Sequence, residues 1–258
     1  MELKKLEKNL YSKLIILRDQ YGCSGIKSEF ENEASDYRDL ILLRYLTAKA
    51  GLKLNIKIGG VEAFTDLKMA LHLNVDGIIV PMVESEFALI KSQNMIEDLL
   101  GRDCTDFDVI INIETKTAVD NLQNILERMN SSINGITIGR SDLSYSYDLK
   151  GQQDSAFINE KVEKIVDVVS AYSDIKITVG GGISRKTFEN RYFIEKIAPR
   201  LTSIETRNVV VSSSSIHNPE SLQYALDFER DYLNYKLEKN RLFMKLDEKR
   251  FDTLNSRG

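Results

Sequence analysis

Cysteine, histidine and tryptophan are scarce in this chain of 258 residues, which contains two cysteines, two histidines and no tryptophan. Cys23 and Cys104 are far apart in sequence and belong to no CxxC motif. The sequence therefore indicates neither a disulfide framework nor a zinc site, and we interpret both as ordinary, largely buried thiols. His72 lies on a predicted helix, which favours a surface or packing role, so His217 is the histidine that we consider for catalysis.

The chain also lacks a long apolar run and an excess of positive charge. No stretch approaches the roughly 20 apolar residues of a membrane-spanning helix, and the N-terminal segment is too charged for a secretory signal. Its 35 lysines and arginines are intermixed with 39 aspartates and glutamates, unlike the basic surface of a nucleic-acid-binding protein. We expect a cytoplasmic protein without membrane or nucleic-acid partners, folded as one domain over residues 1–258.

Short apolar runs alternate with longer segments of helical pattern from residue 22 to about residue 212. This alternation is typical of βα units around a parallel sheet, and each unit takes about 30 residues, as in a TIM (β/α)8 barrel. The predicted strands are 22–30, 52–59, 77–83, 108–114, 135–140, 175–180 and 201–211. An eighth strand lies in the tail of the last run or in the N-terminal segment, or the barrel is irregular. No strand is followed by GxGxxG, so a dinucleotide-binding open sheet lacks support.

Helical patterns fill the segments between these strands and both ends of the chain. The predicted helices are 1–20, 37–50, 61–73, 85–100, 117–129, 159–172, 185–197 and 219–250. Asn218 and Pro219 suit the cap and the first position of the last helix. This helix is long and densely charged, so it either wraps the outside of the barrel or packs on another subunit.

Polar and charged residues alternate with apolar ones along five of the predicted strands. In a parallel barrel, the polar residues then face the axis, and those near the carboxyl ends of the strands form the active site. The axial residues predicted in this way are Lys27, Glu29, Asn55, Lys57, Asn112, Glu114, Lys176, Thr178, Ser203, Glu205 and Arg207. Burying an unpaired charge costs several kcal/mol, so the cluster is either a satisfied ion network or a ligand site.

Three segments resemble the HpcH/HpaI aldolase and citrate lyase family: GIIVPMVES, INIETKTAVDNLQNIL and GITIGRSDLSYSYDLKG, in this order and spacing. The resemblance implies a TIM barrel that binds Mg²⁺ or Mn²⁺ through the glutamate of IET, Glu114, and the aspartate of GRSDLS, Asp142. Two carboxylates leave coordination sites for water and for a 2-oxo acid, whose enolate the cation stabilises. The alternative is that Glu114 forms a strand-end ion pair and Asp142 caps a helix or turn.

The sequence departs from the family at positions that decide the activity. Lys57 stands where the family's aldolases have an arginine that grips pyruvate, and GIKSEFENEA contains no histidine where they have an acid–base histidine. Arg140 stands where proline is typical and offers a guanidinium to a carboxylate or phosphate. We expect substrate binding by Lys57, Arg140, Arg207 and Asn112, with proton transfer by Lys57, Glu29, Lys27 or Glu205.

These features predict a metal-dependent carbon–carbon lyase that joins or splits a 2-oxo acid enolate and an aldehyde or thioester. Resemblance to a branch associated with surface-polysaccharide clusters implies a sugar-acid or pyruvyl-containing substrate, and family members imply a homo-oligomer, a trimer or hexamer. One alternative is a Schiff-base aldolase that uses Lys27, Lys57 or Lys176. The other is a non-catalytic barrel that binds a metabolite or a partner protein.

Overall fold

Eight strands close into a barrel in chain order, which confirms the predicted fold class. The computed structural model describes residues 2–101, 106–172 and 174–257. The strands are β1 Cys23–Glu29, β2 Lys53–Lys57, β3 Gly77–Val80, β4 Asp108–Ile113, β5 Gly135–Gly139, β6 Lys176–Gly180, β7 Ser203–Glu205 and β8 Val209–Ser212. Consecutive strands from β1 to β7 pair in parallel, as the βα alternation predicts.

The eighth strand lies in the tail of the last predicted run and makes the barrel irregular. The predicted strand 201–211 is in fact two strands, β7 and β8, separated by residues 206–208. A connection this short cannot cross back to the start of the sheet, so β8 must run antiparallel to β7. It also pairs antiparallel with β1 and closes the barrel. The last βα unit of a regular (β/α)8 barrel is therefore replaced by a β-hairpin.

Helices surround the barrel, and several bounds differ from the prediction. They are α1 Glu2–Tyr21, α2 Tyr37–Ala50, α3 Phe64–His72, α4 Glu86–Leu100, α5 Lys116–Asp120, α6 Leu122–Glu127, α7 Arg140–Ser146, α8 Ala156–Val169, α9 Arg185–Glu189 and α10 Pro219–Asn255. The predicted helix 117–129 is split at Asn121, and the predicted helix 185–197 is α9 followed by a π-helical segment, Phe193–Ile197. Helix α7 begins directly after β5 and is not among the predicted helices, because its segment has few apolar residues at helical spacing.

The C-terminal helix α10 packs on the barrel with its N-terminal part, and its contacts with Arg38 of α2 continue to Lys239 and Phe243. Its early apolar side chains, including Leu222 and Phe228, are buried, and Tyr235 donates a hydrogen bond to Glu7 of α1. Beyond that point Leu246 and Phe251 are exposed. The helix therefore wraps the outside of the barrel first and then extends into solvent.

Cys23 of β1 is the cysteine whose surroundings the structure describes. Cys23 is buried, and burial raises the pKa of its thiol to about 12, which keeps it protonated and unreactive. Cys104 lies outside the described residues. None of the described helices combines the length and the apolar character needed to span a membrane.

Candidate active site

A cavity of about 390 Å³ opens at the carboxyl ends of the parallel strands, where TIM barrels hold their active sites. We call it the upper cavity. Its charged lining residues are Lys27, Glu29, Lys57, Glu114, Asp142, Glu205, Arg207 and Glu229, and Asn112 adds an amide. Most of the predicted axial residues therefore meet at one place, because strand alternation directs them to the axis and their positions late in each strand place them at this end.

Glu114 follows β4 directly and is buried, with 2% of its surface exposed. Its Oε1 accepts a hydrogen bond from the Met82 N–H at 3.0 Å, and its Oε2 accepts one from Asn112 Nδ2 at 3.0 Å. Burial raises the pKa of Glu114, the positive charge of Lys57 lowers it, and the negative charge of Asp142 raises it further. The net pKa lies above the ordinary value, so a further positive charge near this carboxylate would favour its ionised form.

Asp142 lies in the first turn of α7, beside Glu114. The absence of a loop between β5 and α7 brings this carboxylate to the rim of the upper cavity. Within the described residues, it has no hydrogen-bond or salt-bridge partner.

The three cations of the upper cavity are paired with other carboxylates. Lys57 Nζ lies 3.1 Å from Glu29 Oε2, and Lys27 contacts Glu205. Arg207 Nη2 lies 3.2 Å from Glu29 Oε1, and its Nε lies 3.0 Å from an oxygen of Glu33. These pairs group on the side of the cavity formed by β1, β2 and β7.

Lys57 connects this ion-pair network to the two carboxylates at the opposite wall. Burial lowers its pKa, but the negative charges of Glu114, Glu29 and Asp142 outweigh burial and hold the pKa of Lys57 above its ordinary value. The ammonium is therefore charged at neutral pH. This charge state disfavours Lys57 as a Schiff-base nucleophile, which needs a neutral amine.

The charge balance of the upper cavity fits a divalent cation. Among the described residues, five carboxylates and three cationic side chains line it, which leaves an excess of two negative charges. Glu114 and Asp142 have no salt-bridge partner within the described residues, and the buried Asn112 Oδ1 lacks a hydrogen-bond donor there. The same part of the chain contains no cluster of three or more histidine, cysteine, aspartate or glutamate side chains suited to a metal. A cation here would bind two carboxylates and retain water ligands, which is typical of Mg²⁺.

Arg140 does not reach the upper cavity, contrary to the expectation that it binds substrate. Its guanidinium is fully buried, donates to Asp154 at 2.8 Å and to Thr187 at 3.1 Å, and lies over the ring of Phe193. The positive charge of Arg140 is thus already neutralised by Asp154. The geometry supports a structural role, in which Arg140 ties the start of α7 to the segments that precede α8 and form α9.

Lys176 and the two histidines also lie away from the upper cavity. Lys176 is the first residue of β6, so it lies at the opposite end of the barrel, where its Nζ is 3.3 Å from Asp108. His217 is exposed on the 3-10 helix that follows the antiparallel β8, and this direction carries it to that same end. His72 is exposed on α3. None of the three is placed to act on a ligand in the upper cavity.

Glu229 is a lining residue that the strand pattern did not predict. It lies on α10 and accepts hydrogen bonds from Thr206 Oγ1 at 2.6 Å and from the Asn208 N–H at 2.7 Å. These contacts hold the β7–β8 turn that carries Arg207. Strand alternation could not identify Glu229, because it lies on a helix that returns to the cavity only after the β8 hairpin.

Sequence comparison matches the chain to a family model and to a curated relative. The HpcH/HpaI aldolase/citrate lyase family model matches residues 41–190. A curated relative, imidazole glycerol phosphate synthase subunit HisF of Methanococcus vannielii, is 30% identical over 112 residues. That alignment spans 38% of this chain and 40% of the relative, so the chain spans about two fifths of its length.

Solved structures share the fold over most of the chain. An HpcH/HpaI aldolase/citrate lyase family protein from Burkholderia cenocepacia has a TM-score of 0.58 and 15% identity, covering 87% of this chain and 90% of its own. The HpcH/HpaI aldolase from Desulfitobacterium hafniense has a TM-score of 0.60 and 14% identity, covering 77% and 81%. The citrate synthase SbnG has a TM-score of 0.58 and 17% identity, covering 86% and 89%. At these identities the likeness is one of fold.

Proposed function

The chain belongs to the HpcH/HpaI aldolase/citrate lyase family, and we propose that it is a metal-dependent lyase acting on a 2-oxo acid such as pyruvate. The proposed reaction makes or breaks a carbon–carbon bond at the carbon adjacent to the 2-oxo group, which is the nucleophilic carbon of the enolate, with an aldehyde or a thioester as the second substrate. Family membership supports a lyase- or aldolase-type function. The observation that carries the proposal is the placement of Glu114 and Asp142, without salt-bridge partners among the described residues, in a cavity with two excess negative charges.

In this proposal Glu114 and Asp142 hold Mg²⁺ or Mn²⁺. When bound, the cation would polarise the 2-oxo group and stabilise the negative charge that develops on its oxygen. The hydrogen bonds from Met82 N–H and Asn112 Nδ2 orient the Glu114 carboxylate from outside the ligand set. Such supporting contacts fix the direction of a metal ligand, and removing them typically weakens metal affinity.

Lys57 and Arg207 are the proposed contacts for the substrate carboxylate. Both side chains line the upper cavity and share Glu29 as an ion-pair partner, so an incoming carboxylate can take the place of Glu29 at either one. Lys57 provides a point charge without the bidentate fork of arginine. Asn112 contributes indirectly in this proposal, since its Nδ2 is used by Glu114.

The proposed proton donor and acceptor is the pair formed by Lys27 and Glu205. The two groups contact each other, and Glu205 is 4% exposed. Glu205 is engaged by this one cation, whereas Glu29 is shared between Lys57 and Arg207. The Lys27–Glu205 pair can therefore pass a proton to or from substrate without disrupting the contacts proposed to bind its carboxylate.

The test is exchange of deuterium from methyl-labelled pyruvate, followed by NMR with and without Mg²⁺ or Mn²⁺. We expect exchange that requires metal, is lost in Glu114→Gln and Asp142→Asn, and is slowed in Lys57→Ala. Glu195→Gln, at an exposed carboxylate, is the matched control and should behave as wild type. Metal-independent exchange with borohydride trapping at Lys27 or Lys57 would contradict the proposal and favour a Schiff-base aldolase. No exchange by the folded protein with either metal would reject pyruvate as the substrate.

A further inference from the structure

A second cavity, of about 230 Å³, opens at the amino ends of the strands. We call it the lower cavity. The polar side chains that matter for its chemistry are Lys53, Asn55, Asp108, Lys176, Thr178 and Ser203. Four of these are the first residues of their strands, so the lower cavity lies at the end of the barrel opposite Glu114 and Asp142.

Glycines leave the space in which this cavity forms. TIM barrel interiors are normally filled by layers of bulky branched side chains. At this end Gly77 of β3 lies between β2 and β4, and Gly135 of β5 lies beside Lys176 in the register of the sheet. A Cβ on Gly77 would lie 2.6 Å from the Cβ of Asp108. The missing side chains allow lysines on β2 and β6 to reach across a neighbouring strand.

Both lysines converge on the single carboxylate of Asp108. Lys53 Nζ lies 2.6 Å from Oδ2, and Lys176 Nζ lies 3.3 Å from Oδ1. The Asp108 side chain is 12% exposed, whereas the lysine side chains are about half exposed at the mouth. One carboxylate can neutralise only one ammonium, so the lining of the lower cavity retains one positive charge.

Asn55 supplies a polar group deeper in the same cavity. Its Oδ1 is buried and has no hydrogen-bond donor among the described residues. Leaving a buried acceptor unpaired is costly, so a donor from a ligand or from water is expected at this position. The lower cavity therefore combines an unneutralised positive charge at its mouth with an acceptor that lacks a donor inside.

We propose that the lower cavity binds a small oxyanion that carries a hydroxyl group. The anionic oxygens accept hydrogen bonds from Lys53 and Lys176, and the hydroxyl donates to Asn55 Oδ1. At roughly 30 Å³ per water molecule, the volume corresponds to about eight waters, which suits inorganic phosphate or a short hydroxy acid and excludes a nucleotide. If Asp108 had only a structural role, one lysine would be enough to neutralise its carboxylate. Binding of an anion explains the presence of the second lysine.

The test is an NMR titration of ¹⁵N-labelled, metal-stripped protein with inorganic phosphate, glycolate and acetate. We expect saturable shifts around Gly135 and Thr178, and tighter binding of glycolate than of acetate, which lacks the hydroxyl. Lys53→Gln and Lys176→Gln should each weaken binding about tenfold, because each removes one charge-assisted contact. Each variant leaves Asp108 one partner, so both should fold. Lys196→Gln, at an exposed lysine that lines neither cavity, should bind as wild type does.

Three results would overturn the proposal. The first is the absence of saturable shifts with any of the three anions. The second is a set of shifts confined to residues of the upper cavity, and the third is unchanged affinity in both lysine variants. Equal affinity for glycolate and acetate would reject the role of Asn55. These outcomes are independent of the pyruvate exchange assay, which reports on the other end of the barrel.

Discussion

The carboxylate of Glu114 packs against Gly139 of the neighbouring strand β5. A side chain at position 139 would enter the space that this carboxylate occupies. A Cβ on Gly139 would lie 2.6 Å from Glu114 Oε2 and 2.8 Å from Glu114 Cβ. The same relationship recurs on the adjacent strand β6, where a Cβ on Gly180 would lie 2.6 Å from Glu205 Oε1 of β7. Glycine late in β5 and β6 thus provides the space for two carboxylates of the upper cavity.

Gly139→Ala should therefore weaken metal binding without removing a ligand. The new methyl group would meet the Cβ of Glu114, which is close to the backbone and cannot simply rotate away. We expect Mn²⁺ affinity, measured by electron paramagnetic resonance, to fall about tenfold, as when the supporting contacts of a metal ligand are lost. Gly60→Ala, where a Cβ would meet nothing within 4 Å, is the control. Unchanged affinity in Gly139→Ala would argue against Glu114 as a ligand.

The raised pKa of Glu114 predicts a pH-dependent difference in stability between wild type and Glu114→Gln. A carboxyl group whose pKa is higher in the folded state stabilises the fold below its unfolded pKa, and this contribution is lost as pH rises through the folded pKa. Without metal, Glu114→Gln should therefore be more stable than wild type at pH 8, and the difference should shrink toward pH 4.5. Asn112 can turn its unpartnered Oδ1 toward the new amide.

Urea unfolding in a chelating buffer at several pH values measures this difference. Glu195→Gln serves as the control because its carboxylate is exposed, and its stability should follow that of wild type at every pH. A Glu114→Gln variant less stable than wild type at pH 8 would show that the ionised carboxylate is already well compensated by Lys57. Mg²⁺ added in excess of the chelator should stabilise wild type and leave Glu114→Gln unaffected.

Lys57 should affect substrate affinity more than turnover. Replacing it with alanine removes a positive charge that we propose binds the substrate carboxylate, so KM for pyruvate in the exchange reaction should rise about tenfold or more. Lys57→Arg keeps the charge and adds a bidentate fork, and it should restore a KM near that of wild type. Equal loss in both variants, mainly in kcat, would instead assign Lys57 to proton transfer.

The barrel and much of the upper cavity could be predicted from strand alternation. A period of two specifies which side chains face the axis, and the late positions of Lys57 and Glu114 place them at the carboxyl ends of their strands. The direction of β8 could not be predicted in this way, because alternation is the same in parallel and antiparallel strands. The short turn at residues 206–208 also contains neither glycine nor proline.

Height along the barrel axis was the harder property to predict. Lys57 and Lys176 both face the axis, but Lys57 ends its strand and Lys176 begins its strand, so they lie at opposite ends. The predicted strand 175–180 already places Lys176 near its start, but alternation treats every axial residue alike, so only position within the strand separates the two ends. Arg140 was misassigned for another reason. Its partners Asp154 and Thr187 lie outside the strands, where no periodicity predicts which residues meet.

The structural role of Arg140 predicts a stability effect that depends on Asp154. Arg140→Met would leave the Asp154 carboxylate without its buried partner, and breaking such a pair typically costs about 3 kcal/mol or more. The double variant Arg140→Met/Asp154→Leu removes both charges and should recover part of this loss in urea unfolding. Arg185→Met, at an exposed residue, is the control. Two results together would instead assign Arg140 to substrate binding. The effects of the two substitutions on stability would simply add, and Arg140→Met would raise the KM for pyruvate without a loss of stability.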